Sequence, residues 1–325
     1  MKKFAKIDWS QIALPLAFVA MLIVFSIINP AFFSHRNVTQ TMRQGAILFM
    51  IVSGQTLTLI ARGIDLSQGS VISLTSVAVI SCIYAFGAYA GSIAGILVGT
   101  SCGLLNGILI GYVGIPPILT TLGMLFIALG VDLVYTGGVT LSSLSEIDQQ
   151  RLFWFGGGTI QSIPVPVIFA AIIGLILVLV LKRTVFGRHL YFIGANADAA
   201  FMIGVRTKRV ILVTYTLSAL LASLGAFFLT ARLGMGFPHL GEDWLVLAIG
   251  GAVLGGTSVL GGKGGIWQAL LGSMVIVFLD NGLIVSGVSS FAREAIIGAI
   301  IILACLGSVV KGTPKWKSVK QGGKT

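Results

Sequence analysis

Residues 91–113 read Gly-Ser-Ile-Ala-Gly-Ile-Leu-Val-Gly-Thr-Ser-Cys-Gly-Leu-Leu-Asn-Gly-Ile-Leu-Ile-Gly-Tyr-Val, an uncharged run long enough to cross a bilayer as a helix. Within it Gly91, Gly95, Gly99, Gly103, Gly107 and Gly111 recur at every fourth position. Each step of four advances about 40° past a full turn, because a helix has about 3.6 residues per turn. The spacing therefore predicts a slowly winding groove that admits tilted neighbours at close range. Asn106 lies beside it, either to glue helices together or to line a polar path.

The rest of the chain has the same character. Of 325 residues, 56% are hydrophobic and 10% charged, with a mean hydropathy of +1.02. Soluble domains carry about 25% charged residues, so a water-facing globule is excluded. Apolar runs fall at Ile12–Ile28, Gly45–Ala61, Ser67–Tyr89, Gly91–Val113, Ile118–Tyr135, Val165–Leu181, Val210–Ala231, Trp244–Leu260, Ile266–Val288 and Ala295–Val310. The expectation is an all-α polytopic membrane protein with about ten transmembrane helices, forming a single membrane domain over residues 1–325. The first run is too long for a signal-peptide core and lacks a cleavage site, so it reads as an uncleaved span.

The net charge of +11 is concentrated in three places. Lys2, Lys3 and Lys6 precede the first run. Lys182, Arg183, Arg188, Arg206, Lys208 and Arg209 bracket a loop at about 182–209. Lys311, Lys315, Lys317, Lys320 and Lys324 fill the tail, 311–325. An even number of spans separates each cluster from the next, which puts both termini and the loop on the cytoplasmic side by the positive-inside rule. This distribution speaks against nucleic acid and for a lipid bilayer as the surroundings. The segment His35–Gln44 reads as an interfacial helix on the outer surface. Thr136–Pro164 is the longest outer stretch, and its Phe153, Trp154 and Phe155 suit a membrane–water boundary.

Few residues offer chemistry. Cys82, Cys102 and Cys305 sit singly in apolar runs, and the three histidines show no metal spacing, so neither a metal nor a cofactor is expected. Intramembrane polar groups are candidate functional residues because burying them is costly: Asp280 and Asn281 in the ninth run, and Asp132 near the outer end of the fifth. No chain of acidic residues suggests an ion-coupled pump. Gly261-Gly262-Lys263-Gly264-Gly265 imitates a P-loop but fails it twice. Thr257 takes the first glycine position and Gly264 follows the lysine, so ATP is not bound here; a tight turn is expected instead.

The loop at 182–209 is the most informative segment. Asn196 or Asp198 is placed to cap a short helix starting at Ala197–Ala200, and Gly204 to end it. A short helix between basic flanks is explained by docking a soluble partner.

Here the sequence resembles the permease subunits of ATP-binding-cassette importers, whose docking loop has an E-A-A-x3-G core. Asp198-Ala199-Ala200-x3-Gly204 is similar to it, with Asp in place of Glu. Gly187, Arg188, Gly194 and Asn196 match the loop entry of the ribose-, xylose- and galactose-type sugar permeases within the branched-chain amino acid permease superfamily. Gly63-Ile64-Asp65-Leu66-Ser67-Gln68-Gly69-Ser70 resembles that family's G-I-D-L-S-x-G-S segment, with Gln68 where a small aliphatic residue is more usual. Leu254 to Gly265 resembles its late glycine-rich segment. The resemblance implies a non-enzymatic subunit with the ATPase on a separate cytoplasmic chain. It further implies a periplasmic solute-binding protein and a second permease, identical or a sister, as partners. Asp65, Ser67, Asn106, Asp280 and Asn281 are the candidates for the translocation path or for helix packing. The implied cargo is a sugar or sugar-like solute. The alternatives are another small solute, such as a nucleoside or branched-chain amino acid, or secondary transport.

Overall fold

A computed structural model describes residues 9–312. The basic residues Lys2–Lys6 and Lys315–Lys324 lie outside the described residues. In chain order the helices are α1 (Trp9–Ile28), α2 (His35–Ile60), α3 (Gln68–Phe86), α4 (Ala88–Ile108), α5 (Pro117–Thr136), α6 (Glu146–Gly157) and α7 (Val165–Arg183). They continue with α8 (Val185–Ala195), α9 (Ala197–Met202), α10 (Thr207–Leu233), α11 (Glu242–Leu254), α12 (Ile266–Val285) and α13 (Ser290–Gly312). A two-stranded hairpin, β1 (Thr159–Ile160) antiparallel to β2 (Ile163–Pro164), is the only sheet among the described residues. Among the described residues, six helices are long and apolar enough to cross a membrane: α3, α4 with its continuation to Val113, α5, α7, α10 and α12.

α2 is the centre of the bundle. Every residue from Gly45 to Ile60 is buried, enclosed by α7, α10, α11 and α12. Helices that cross lipid have no hydrophobic drive toward one another, so their contacts rest on close packing of small residues. The glycines of α4 show how. Added Cβ atoms at Gly91 and Gly95 would strike the backbone of α3 at Cys82–Ile83 and Val79. One at Gly99 would meet Thr75 of α3 and Ser223 of α10 together. At Gly103 the obstacle is Ala219 and Tyr215, and at Gly107 and Gly111 it is the carbonyl oxygens of Leu212 and Lys208, each 2.7 Å away. The stripe thus passes from α3 to α10 along its length, as a 40° advance per step requires.

Two expectations need correction. His35–Gln44 does not form a separate interfacial helix. It is the first part of α2, which runs unbroken from a Ser34 cap because no proline or glycine breaks it before the span begins. Asn37 and Arg43 then bond inward, Asn37 to Asn281 and Arg43 to the Gly157 carbonyl at 2.6 Å. The eighth run, Trp244–Leu260, is helical only to Leu254. Thirteen residues rise about 20 Å, short of the roughly 30 Å hydrocarbon core. Gly255 and Gly256 end the helix, and the chain continues as turns to Gly265.

Candidate functional site

The α2–α3 connection holds Asp65, which is fully buried. Its Oδ1 accepts from the Ser67 backbone N–H at 3.1 Å and from the Ser67 hydroxyl at 2.6 Å. Its Oδ2 accepts from the Ser218 hydroxyl of α10 at 2.7 Å. Each hydroxyl has a single proton, and that proton goes to the carboxylate. The amides beyond must therefore donate: Asn106 of α4 to Ser67 Oγ at 2.9 Å, and Gln68 of α3 to Ser218 Oγ at 2.9 Å. One carboxylate so orders two relays that join α3, α4 and α10. Among the described residues it has no cationic partner. Gly63 lies against the Tyr215 hydroxyl, so a side chain there has no room.

Of the path-or-packing candidates, three meet here: Asp65, Ser67 and Asn106. Gln68 joins them through its amide, a role its departure from the family pattern did not signal. Asp280 and Asn281 lie elsewhere, toward the far end of α12. Asp280 pairs with Arg293 of α13 at 2.6 Å, and Asn281 exchanges two hydrogen bonds with Asn37 at 2.7 and 2.9 Å. Asp132 is buried on the face of α5 toward α3, and neither carboxylate oxygen has a partner among the described residues.

The other group of candidates lies at the end of the bundle that carries the basic loop. α8 follows α7 after Thr184 alone, and its glycines permit close approach. A Cβ at Gly187 would strike the Leu181 carbonyl, and one at Gly194 would strike the Ile60 carbonyl and lie 2.5 Å from the Gly262 nitrogen. The Gly262 N–H donates to the same Ile60 carbonyl at 3.0 Å. The Tyr191 hydroxyl donates to the Gly264 carbonyl at 2.8 Å, and burial pushes its pKa up, which keeps it a neutral donor. The glycine turn at 261–265 is therefore a docking seat for α8 and for the end of α2, not a nucleotide cradle.

Asn196 caps α9 by accepting from the Ala199 N–H at 3.0 Å, whereas Asp198 sits in the first turn, where a negative charge complements the helix dipole. Ala200 is buried, and the Val205 N–H donates to its carbonyl at 3.1 Å. Gly204 turns the chain at φ +83° with open space around it. The consequence is an apolar tip: Phe201, Met202 and Ile203 are 69%, 85% and 69% exposed. Three large apolar side chains left uncovered, held by a capped turn on a braced helix, form a candidate interaction surface. Arg188 is exposed nearby in sequence on α8.

The family described as "Branched-chain amino acid transport system / permease component" matches residues 37–305. The chain is 37% identical over 287 residues to the ribose import permease protein RbsC of Bacillus subtilis, covering 88% of each chain. It is 32% identical over 301 residues to the D-allose transport system permease protein AlsC of Escherichia coli, covering 91% and 90%. It is also 32% identical over 303 residues to the fructose import permease protein FrcC of Rhizobium meliloti, covering 91% and 84%. No solved structure matches it.

Proposed function

This chain belongs to the branched-chain amino acid transport system permease family, and on that premise we propose that it is the membrane-spanning permease subunit of an ATP-binding-cassette sugar importer. It is a multi-pass membrane protein and not an enzyme; hydrolysis takes place on a separate ATPase chain. The cargo is a monosaccharide or close analogue, a reading supported by relatives named for ribose, allose and fructose over most of the chain. A solute-binding protein delivers the cargo on the outer side.

The geometric observation that carries the mechanism is the exposed Phe201–Met202–Ile203 tip on a braced short helix. In this reading the ATPase grips that tip. A movement of α9 passes to α8 and then, through Gly194 and Tyr191, to the end of α2 and the turn leading into α12. Backbone contacts with no side chain between them transmit displacement with little slack. Asp65, five residues beyond Ile60, then carries the movement to α4 and α10. The basic loop, the N-terminus and the tail face the cytoplasm, and about ten segments cross or enter the membrane. A second permease, identical or a sister, completes the path.

The test is transport in proteoliposomes by the complex purified from its native membrane with its partners. Uptake of labelled ribose, allose or fructose should require ATP and the binding protein and should persist when proton and sodium gradients are collapsed. Uptake abolished by collapsing the gradients would replace this reading with secondary transport. Uptake of leucine but of no sugar would move the cargo to the amino acids.

A further inference from the structure

A groove of about 290 Å³ runs along the flank of the bundle, with α2 as its floor and α7 and α12 as its walls. Its lining is apolar, from Ala46 and Phe49 below to Ala171 and Val178 on one side and Trp267 and Met274 on the other. Gly174 deepens it, since a Cβ there would come 3.0 Å from the Phe49 ring. The α7 wall from Val167 to Val178 rises about 17 Å, close to the depth of one leaflet's hydrocarbon. Apolar cavities of about half this volume stay dry and take up hydrocarbon.

The groove has a charged end. Val178 lies one turn before Lys182 on the same face of α7, and Arg183 follows. Lys263 stands three residues ahead of Ile266, the first groove residue of α12. Lys182, Arg183 and Lys263 are exposed and form no ion pair among the described residues. Trp267, also exposed, lines that end, where an amphipathic ring suits the headgroup level. Basic residues beside a gap between membrane helices are the chemistry that selects anionic headgroups.

We propose that this groove holds one acyl chain of an anionic phospholipid, with Lys182 and Lys263 engaging its headgroup. The test titrates the delipidated protein in detergent with phosphatidylglycerol or phosphatidylcholine of identical chains, read by native mass spectrometry and by thermal unfolding. One saturable adduct that favours phosphatidylglycerol and raises the unfolding midpoint is expected. Ala171→Phe fills the groove and should abolish that adduct for both lipids. Ile172→Phe, on the adjoining exposed position outside the groove, should not. Lys182→Gln and Lys263→Gln should each lower the phosphatidylglycerol preference about fivefold while leaving phosphatidylcholine binding unchanged. Lipid uptake that does not saturate, or that Ala171→Phe leaves untouched, overturns the proposal. So does dissociation of a dimer by Ala171→Phe with lipid binding unaltered, since a second copy would then be the occupant.

Discussion

Ser218 donates its hydroxyl to Asp65 Oδ2 at 2.7 Å, tying the α2–α3 connection to the middle of α10 across 153 positions of chain. With Ser67 on the other oxygen, this carboxylate sets the polarity of every hydrogen bond around it.

Asp65→Ala should therefore be among the most damaging single changes in the chain. It removes the acceptor of two buried hydroxyls and one backbone N–H, and buried donors left without a partner cost about 1–3 kcal/mol. A loss of roughly 3 kcal/mol, allowing for relaxation, should lower the thermal unfolding midpoint in detergent. Ser218→Ala should cost less, about 1–2 kcal/mol, and the double variant should show coupling above about 0.5 kcal/mol. An unchanged midpoint for Asp65→Ala would remove the network from the account of the fold.

The α4 stripe makes a contrast between two glycines. Gly107→Leu places a side chain against the Leu212 carbonyl, where the backbone itself must move, and should cost at least about 2 kcal/mol and sharply reduce folded yield. Gly123→Leu on α5 meets no atom within 4 Å and should accumulate at the wild-type level. Monodisperse yield by size-exclusion chromatography separates them. Equal yields would show that the stripe is not a packing seam.

At the basic end, Met202→Glu should uncouple transport without unfolding the subunit. Met202 is 85% exposed, so the substitution disturbs no core packing. It places a solvated charge where an apolar surface is to be buried. Uptake should fall at least tenfold with membrane abundance unchanged. Gly204→Arg should have the same effect with a further local cost of about 1 kcal/mol, because φ is +83° there. Uncoupling should appear as loss of co-purified ATPase. Wild-type uptake by either variant would exclude the α9 tip as the docking surface.

The Asn37–Asn281 pair offers a measurement of helix glue. Each amide both donates and accepts, so Asn281→Ala leaves the Asn37 carbonyl oxygen and one of its two amide N–H groups without a partner, while the other N–H keeps the Phe32 carbonyl. Hydrogen bonds between membrane helices average about 0.6 kcal/mol, which puts the coupling of the pair near 1 kcal/mol. A double-variant cycle on unfolding reads it. Additive effects would mean that each amide finds another partner when alone.

Much of the candidate site was legible because it is local. Asn196, Ala200 and Gly204 lie within nine residues, and the cap, the short helix and the left-handed turn follow from the residue types alone. α8 was not legible: its bracing depends on Gly187 and Gly194 meeting Leu181, Ile60 and Gly262, contacts made by backbone and therefore silent in side-chain patterns. Likewise, Gln68 looks like a stray polar residue until Ser218, on another helix, supplies its partner.

By itself the sequence determined the class. Long uncharged runs, sparse charge and basic clusters leave an α-helical membrane protein as the solution in which every backbone group is satisfied. It also determined the winding of the α4 stripe, because helical pitch converts a spacing of four into a rotation. Only the tertiary structure decided which helices that stripe serves, that α11 stops at Leu254, and that Asp65 is met by hydroxyls rather than by a cation. Periodicity along one helix states which face is special. The partner of that face is set by the packing of segments distant in sequence, which no local pattern records.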